Sequence, residues 1–352
     1  MKIEKKDLPK GVVEFKIIVD ENEFETYRSK GFASIQKAVE IDGFRKGNAP
    51  EEIIVKKYGD MIILEEMANL ALRDAYIKAI DEHKITPISE PQVSITKLAK
   101  GNPLELTITV PIMPEIVLPS YKKIASEVVN EMSDSDKTGL EVTDKDIEIV
   151  LEELRKGRAK QQEHVHTDEP HEHKIDEATL PELNDEFAKS FGDSFTSLVD
   201  LKTKIGENLK LEKEQKLREK RRTKIMDKLV AETKIEMPDV IVEGELSNML
   251  AQMKADMTRF GGTWEEYLTH SKKTEEQFKS DWRNDAEKRA LSQLLLHKIA
   301  QAEKLTATDE EIEVELVRVL ATVQDADENR AKSFLYQALT NEKVLKFLEE
   351  GK

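Results

Sequence analysis

No cysteine occurs among the 352 residues, so neither a disulfide framework nor thiol chemistry is available. Aromatic residues make up only 5% while charged residues reach 36%, a balance that favours long solvated helices over compact aromatic-rich cores. An excess of positive charge is also missing. The formal net charge is −16, and a field of that sign opposes nucleic-acid binding by the chain as a whole. Any contact with RNA must therefore be local. No apolar run approaches the length of a bilayer span, and the opening MKIEKKDLPK lacks the apolar segment of a secretory signal. The simplest expectation is a soluble cytoplasmic protein without membrane contact.

Catalytic signatures are absent as well. The sequence holds no Walker loop, dinucleotide fingerprint, HExxH or nucleophile elbow. Its many carboxylates lie on charged helical stretches, where solvation explains them, and none is paired in an apolar setting that shifts a pKa. No catalytic residue, cofactor or metal is expected.

At this length two or three domains are expected. Val12 to Val19 (VVEFKIIV) is a β-branched strand. A helix follows from Asp20, carries Phe24, Tyr27, Phe32, Ile35 and Val39, and ends near Ile41. A second helical pattern runs from Ile53 to Ile80 with a break near Gly59. Beyond Pro87 and Pro91 come extended runs at Val93–Leu98 and Leu104–Met113, then a third around Lys123–Val129. Residues 1–129 thus read as an α+β domain, a small antiparallel sheet with a long helical hairpin. Residues 130–180 read as a linker with a polar start (NEMSDSDKTGLE) and one helix at about 143–162. Residues 181–352 read as an elongated all-α domain. In it, long helices run toward Glu232, from Pro238 to Gly261-Gly262, and from Phe278 to Ala300, with two more after Thr308.

Three stretches are candidates for function. The first is the tip of the hairpin, Gly43-Phe44-Arg45-Lys46-Gly47-Asn48-Ala49-Pro50. Its glycines permit unusual backbone angles, and Pro50 suits a helix start. An aromatic beside two cations is poor core material and suits docking on a polyanion or an acidic protein patch. An ordinary turn with solvated charges is the plainer alternative. The second is the stripe Leu246, Met249, Leu250, Met253, Met257 and Phe260, which keeps one helical face apolar. Methionine adapts to varied partners, although such stripes usually form core. The third is Glu163 to Lys174, which holds four of the seven histidines. Such tracts can chelate metal, but nothing around this one fixes a coordination geometry, so a tether is expected.

GFRKGNAP followed by EEIIVKKYG resembles the signature of trigger factor, the bacterial chaperone of the ribosomal exit tunnel. Ile85-Thr86-Pro87, the LPELNDEFAKSFG stretch at 180–192 and the long helical tail resemble that family too. Asn48 departs from it, standing where another basic residue is usual. A larger departure follows the helix at 143–162. The family's FK506-binding-protein-type prolyl isomerase domain is inserted there, and fewer than about twenty residues are present where a compact domain needs at least about fifty.

The resemblance implies a ribosome-associated chaperone without isomerase activity. Gly43, Phe44, Arg45, Lys46, Gly47 and Pro50 would dock on the large subunit at the exit tunnel, through a ribosomal protein and local RNA. The helical part would hold nascent or unfolded polypeptides, and a weak homodimer is admitted. The alternatives are a peptidyl-prolyl isomerase, as in full-length members, and a helical adaptor or metal-handling protein that never meets the ribosome.

Overall fold

The computed structural model describes residues 1–163, 180–192, 195–322 and 327–351. In chain order the elements are strands β1 (Lys2–Leu8) and β2 (Val12–Val19), then helices α1 (Glu21–Glu25), α2 (Arg28–Ala38), α3 (Glu51–Tyr58) and α4 (Met61–His83). Strands β3 (Gln92–Lys97) and β4 (Leu104–Pro111) follow. The remainder is helical: α5 (Tyr121–Gly139), α6 (Asp144–Glu163), α7 (Asp185–Lys189), α8 (Leu198–Glu232), α9 (Asp239–Arg259), α10 (Trp264–Ser271), α11 (Glu275–Glu303), α12 (Asp309–Thr322) and α13 (Glu328–Glu349). The chain forms two compact units. One joins Met1–Val117 with Thr233–Leu295, the other Leu118–Glu232 with Leu296–Lys352.

In the first unit an antiparallel sheet runs in the order β1-β2-β4-β3. Strict alternation along β2 and β4 sends Val13, Phe15, Ile17, Val19, Leu104, Leu106, Ile108 and Val110 to one face, where all are buried. Phe15 stands opposite Ile108 and Ile17 opposite Leu106. Helix α4 closes this face with Ile63, Leu64, Met67 and the alanines Ala68, Ala71, Ala75 and Ala79. Helix α2 crosses α4 at Gly31, where a side-chain carbon would lie 3.0 Å from Met67 Cγ and 3.3 Å from the Met67 backbone nitrogen. In the same unit Arg289 pairs with the buried Glu245 of α9 at 3.1 Å. At the β1–β2 turn, Lys10 Nζ bonds both carboxylate oxygens of Asp239 at the start of α9 (3.0 and 3.1 Å).

Among its described residues the second unit has helices and no strand. Ile124, Ala125, Val128 and Met132 of α5, Ile225 and Leu229 of α8, and Val344 and Leu348 of α13 are buried. Arg222 of α8 grips Glu342 of α13 with two bonds of 2.7 Å and reaches Glu349 at 3.0 Å. The guanidinium holds the Glu342 carboxyl below the usual carboxylate range, although burial pushes it the other way. A second cluster joins Leu151 of α6, Phe187 and Ala188 of α7, and Leu201 and Ile205 of α8. A third joins Ala307, Ile312 and Leu316 to Leu335 of α13. Helix α12 opens with a reciprocal cap between Thr308 and Glu311.

Several expectations need correction. The strand around Lys123–Val129 and the polar linker at 130–141 are one helix, α5. Ile124, Val128 and Met132 recur every four residues, a helical spacing. The helix expected from Asp20 to Ile41 breaks into α1 and α2 and stops at Ala38. Strand β1 was not expected. Its sequence KIEKKDL alternates poorly because it is an edge strand, paired only through β2. Residues 233–295, read as part of an all-α domain at 181–352, pack in the unit that holds the sheet.

The Gly31 crossing gives a direct test. Gly31→Val gains helix propensity, yet its side chain meets Met67 backbone that cannot yield. A loss of about 1–3 kcal/mol is expected from overpacking, measured by denaturant unfolding; equal or greater stability would mean the helices separate without strain.

Candidate functional site

The loop between α2 and α3 is shaped by its two glycines. Gly43 and Gly47 hold φ of +86° and +87° with open space around the missing side chain, so only backbone strain selects glycine there. Two short turns form the arc: Phe44 N–H donates to the Ile41 carbonyl (3.1 Å) and Asn48 N–H to the Arg45 carbonyl (3.0 Å). Pro50 is the N-cap of α3 with φ −60°, so it precedes the first helical turn instead of lying in it.

The loop is anchored at both ends. Gly47 N–H donates to the Gln36 carbonyl (3.1 Å), and the Gln36 side-chain amide donates to the Ala49 carbonyl (2.8 Å). On the other side, Lys57 Nζ and the Tyr58 hydroxyl both reach the Glu40 carbonyl at 3.3 Å. Ala49 is buried against Ile35 and Ile54, with Val39 and Ile41 packed beside them. At the far end of α2, Arg28 donates to Glu51 (2.6 Å) and Asp60 (3.1 Å), and Lys100 meets Asp60 at 2.9 Å. Lys100 and then Arg28 hold the Asp60 carboxyl below the usual carboxylate range, against its burial.

What projects is what the sequence singled out. Phe44 is 42% exposed, and Arg45 and Lys46 are exposed beside it. Lys46 approaches Glu40 only at 4.0 Å, with both side chains in water, and such pairs contribute little. Arg45 makes no ion pair among the described residues. An apolar ring and two cations on an anchored arc can dock on a surface that offers an apolar notch beside negative charge. The anchoring residue Gln36 was missed from the sequence. Its signal was a polar residue at a position of the Phe32, Ile35, Val39 face where an apolar one is usual.

The methionine stripe divides. Leu246 (1% exposed) and Leu250 (6%) are core together with Val242, so neither offers surface in this fold. Met249, Met253 and Met257 are half-buried, and Phe260, the C-cap of α9, is 86% exposed. The cause is geometric. Residues 242-246-250 and 249-253-257 form two adjacent rows of i+4 spacing, and only the first faces inward. Trp264, Tyr267, Phe278 and Trp282 cluster where α10 meets α11, with Lys254 Nζ 5.4 Å from the Trp264 ring. The tract His164 to His173 lies outside the described residues. Among those described, no cluster of three or more His, Asp or Glu is placed to hold a metal, and no helix is long and apolar enough to cross a membrane.

Comparison with known proteins gives a consistent result. The family model described as bacterial trigger factor protein (TF) matches residues 1–154, and the model of that protein's C-terminus matches residues 197–352. The chain is 26% identical over 390 residues to the trigger factor of Alkaliphilus metalliredigens (strain QYMF), covering 92% of this chain and 91% of that one. It is 27% identical over 429 residues to the trigger factor of Clostridium botulinum (strain Loch Maree / Type A3), covering 100% and 99%. Because 429 aligned positions exceed 352 residues, the alignment opens gaps in this chain. A solved structure reported under "Promiscuous Substrate Recognition in Folding and Assembly Activities of the Trigger Factor Chaperone" shares the fold, with TM-score 0.58, 19% identity and 99% of each chain covered.

The division of the stripe predicts opposite outcomes on α9. Leu246→Ala should cost about 2–5 kcal/mol of stability, whereas Phe260→Ser should leave unfolding within about 0.5 kcal/mol of the parent. Thermal and denaturant melts check both; a large loss at Phe260 would place that ring in the core.

Proposed function

This chain belongs to the bacterial trigger factor family, and we propose that it is a ribosome-associated chaperone that docks through its Phe44-Arg45-Lys46 arc and holds emerging or unfolded polypeptides in the cytoplasm. The observation that carries the docking reading is the arc itself, exposed, cationic and anchored, inside the part matched by the N-terminal family model. In this reading the hairpin within 1–129 docks, and the helical residues after 180, including the α9 row that belongs to the sheet-bearing unit, hold clients. Met253, Met257 and Phe260 are the accessible remainder of the α9 stripe, and adaptable methionines suit clients of varied sequence.

We further infer that the chain does not catalyse prolyl isomerisation. The two family models leave 155–196 unmatched, and within that interval α6 ends at Glu163 and α7 begins at Asp185. A compact enzyme domain of at least about fifty residues does not fit between those helices. The reading as a metal-handling adaptor has no specific observation in its favour.

Two experiments test these readings. Replacing Phe44, Arg45 and Lys46 together by Ala should weaken cosedimentation with ribosomes and leave helix content intact, and added salt should weaken the parent in the same direction. Undiminished cosedimentation of the triple variant would remove the arc from the docking surface. Separately, a proline-limited refolding reaction takes tens of seconds uncatalysed and should keep that rate with trace chaperone present. Acceleration would mean that a catalytic site exists in the helical part.

A further inference from the structure

We propose that Gln36 is a positioning residue for the docking loop, acting through Gly47 and Ala49 and never touching the partner itself. The proposal rests on the docking reading above. Gln36 lies in the last turn of α2, half-buried, and grips the loop with both of its carbonyl-amide groups. Its main-chain carbonyl accepts from Gly47 N–H (3.1 Å), and its side-chain Nε2 donates to the Ala49 carbonyl (2.8 Å). These two contacts bracket Asn48 and fix the end of the arc just after Lys46.

The alternatives for holding the loop are weaker. The turns at Phe44 and Asn48 are internal to it, so they shape the arc without attaching it to the helices. The Lys57 and Tyr58 bonds to Glu40 are long, 3.3 Å, and made by exposed side chains. Gln36 supplies the one side-chain hydrogen bond under 3 Å from the helices into the loop among the described residues. Ala49 is only 4% exposed, so without that donor its carbonyl is shielded from water and loses its partner. The loop then relieves the cost by moving, and Arg45 and Lys46 move with it.

The cost of such a change falls on binding. If the loop occupies its docking shape only a fraction of the time, apparent affinity falls by that fraction. Loss of one hydrogen bond to a shielded acceptor is expected to reduce ribosome affinity by about fivefold to tenfold.

The test uses the full chain. Gln36→Met keeps the length and helix propensity of the side chain and removes the donor. It should bind ribosomes about fivefold to tenfold more weakly, with a melting temperature lowered by no more than about 2–4 °C. Amide exchange should accelerate at residues 43–49, with α2 and α4 as protected as before, a local signature that a general loss of stability does not produce. Gln36→Glu, of nearly the same shape and with no donor at neutral pH, should behave alike and serves if the Met variant folds poorly. Parental affinity in these variants, while the Phe44, Arg45, Lys46 triple Ala variant loses binding, would overturn the positioning role alone. Parental affinity in the triple variant would overturn the docking reading and this proposal with it.

Discussion

The sheet unit depends on how closely α4 can lie on the sheet. The side chains it presents there are largely alanines, Ala68, Ala71, Ala75 and Ala79, all fully buried. Small side chains at spacings of three and four bring a helix axis near its neighbours, so dispersion contacts are made by backbone and by the large residues of β2 and β4. Gly31 does the same where α2 crosses. The hairpin is therefore a tightly packed strut, and the loop at its end inherits a fixed base. A hairpin held apart by bulky residues would leave Gln36 without a defined distance to Ala49.

This constraint explains which parts of the fold were legible. Strands β2 and β4 could be read because alternation of large apolar residues is an unambiguous signal. The outline of α3 and α4, with the break at Gly59, was legible from apolar residues recurring at helical spacing. The face that α4 buries was not. A large apolar residue of this helix, Ile77, is 59% exposed, while the alanines carry the contact. Alanine is nearly silent in a hydrophobic pattern, so a face built for closeness escapes a search for bulk. Helix α5 was misread for a different reason. Its first turns are rich in Ile and Val, which favour strands locally, and the buried row Ile124, Val128, Met132 decides the matter only through tertiary packing.

The candidate surfaces differ in legibility along similar lines. The Phe44-Arg45-Lys46 arc was readable as an exposed turn because breakers and an aromatic with cations leave a mark in a short window. The α9 stripe was readable only as a stripe. A helical face about 100° wide holds more than one i+4 row, and sequence does not say which row a neighbouring helix covers. Val242, Leu246 and Leu250 are covered, and the methionine row beside them is half open. Such a half-open row borrows the edge of the core: it is supported from below by packed residues and is adaptable above.

On the docking reading proposed above, charge makes the shape of the α2–α3 loop matter more than its composition. The chain carries −16 overall, and within the loop Arg45 and Lys46 are matched by Glu40 and Asp42. Counted by sign alone, the segment is neutral and offers no net attraction to a negative surface. At physiological ionic strength charges farther away than about 8 Å are largely screened, so the partner feels the groups that face it closely. The Glu40 side chain is itself exposed, 4.0 Å from Lys46, so on that reading the approach must bring the cations and Phe44, not the acids, against the partner, and that depends on backbone conformation. The left-handed angles at Gly43 and Gly47 turn the chain, and the hydrogen bonds from Gln36 hold the turn in place. A chain of the same composition with a loose loop would present its acids as often as its bases, and the repulsive encounters would offset the attractive ones.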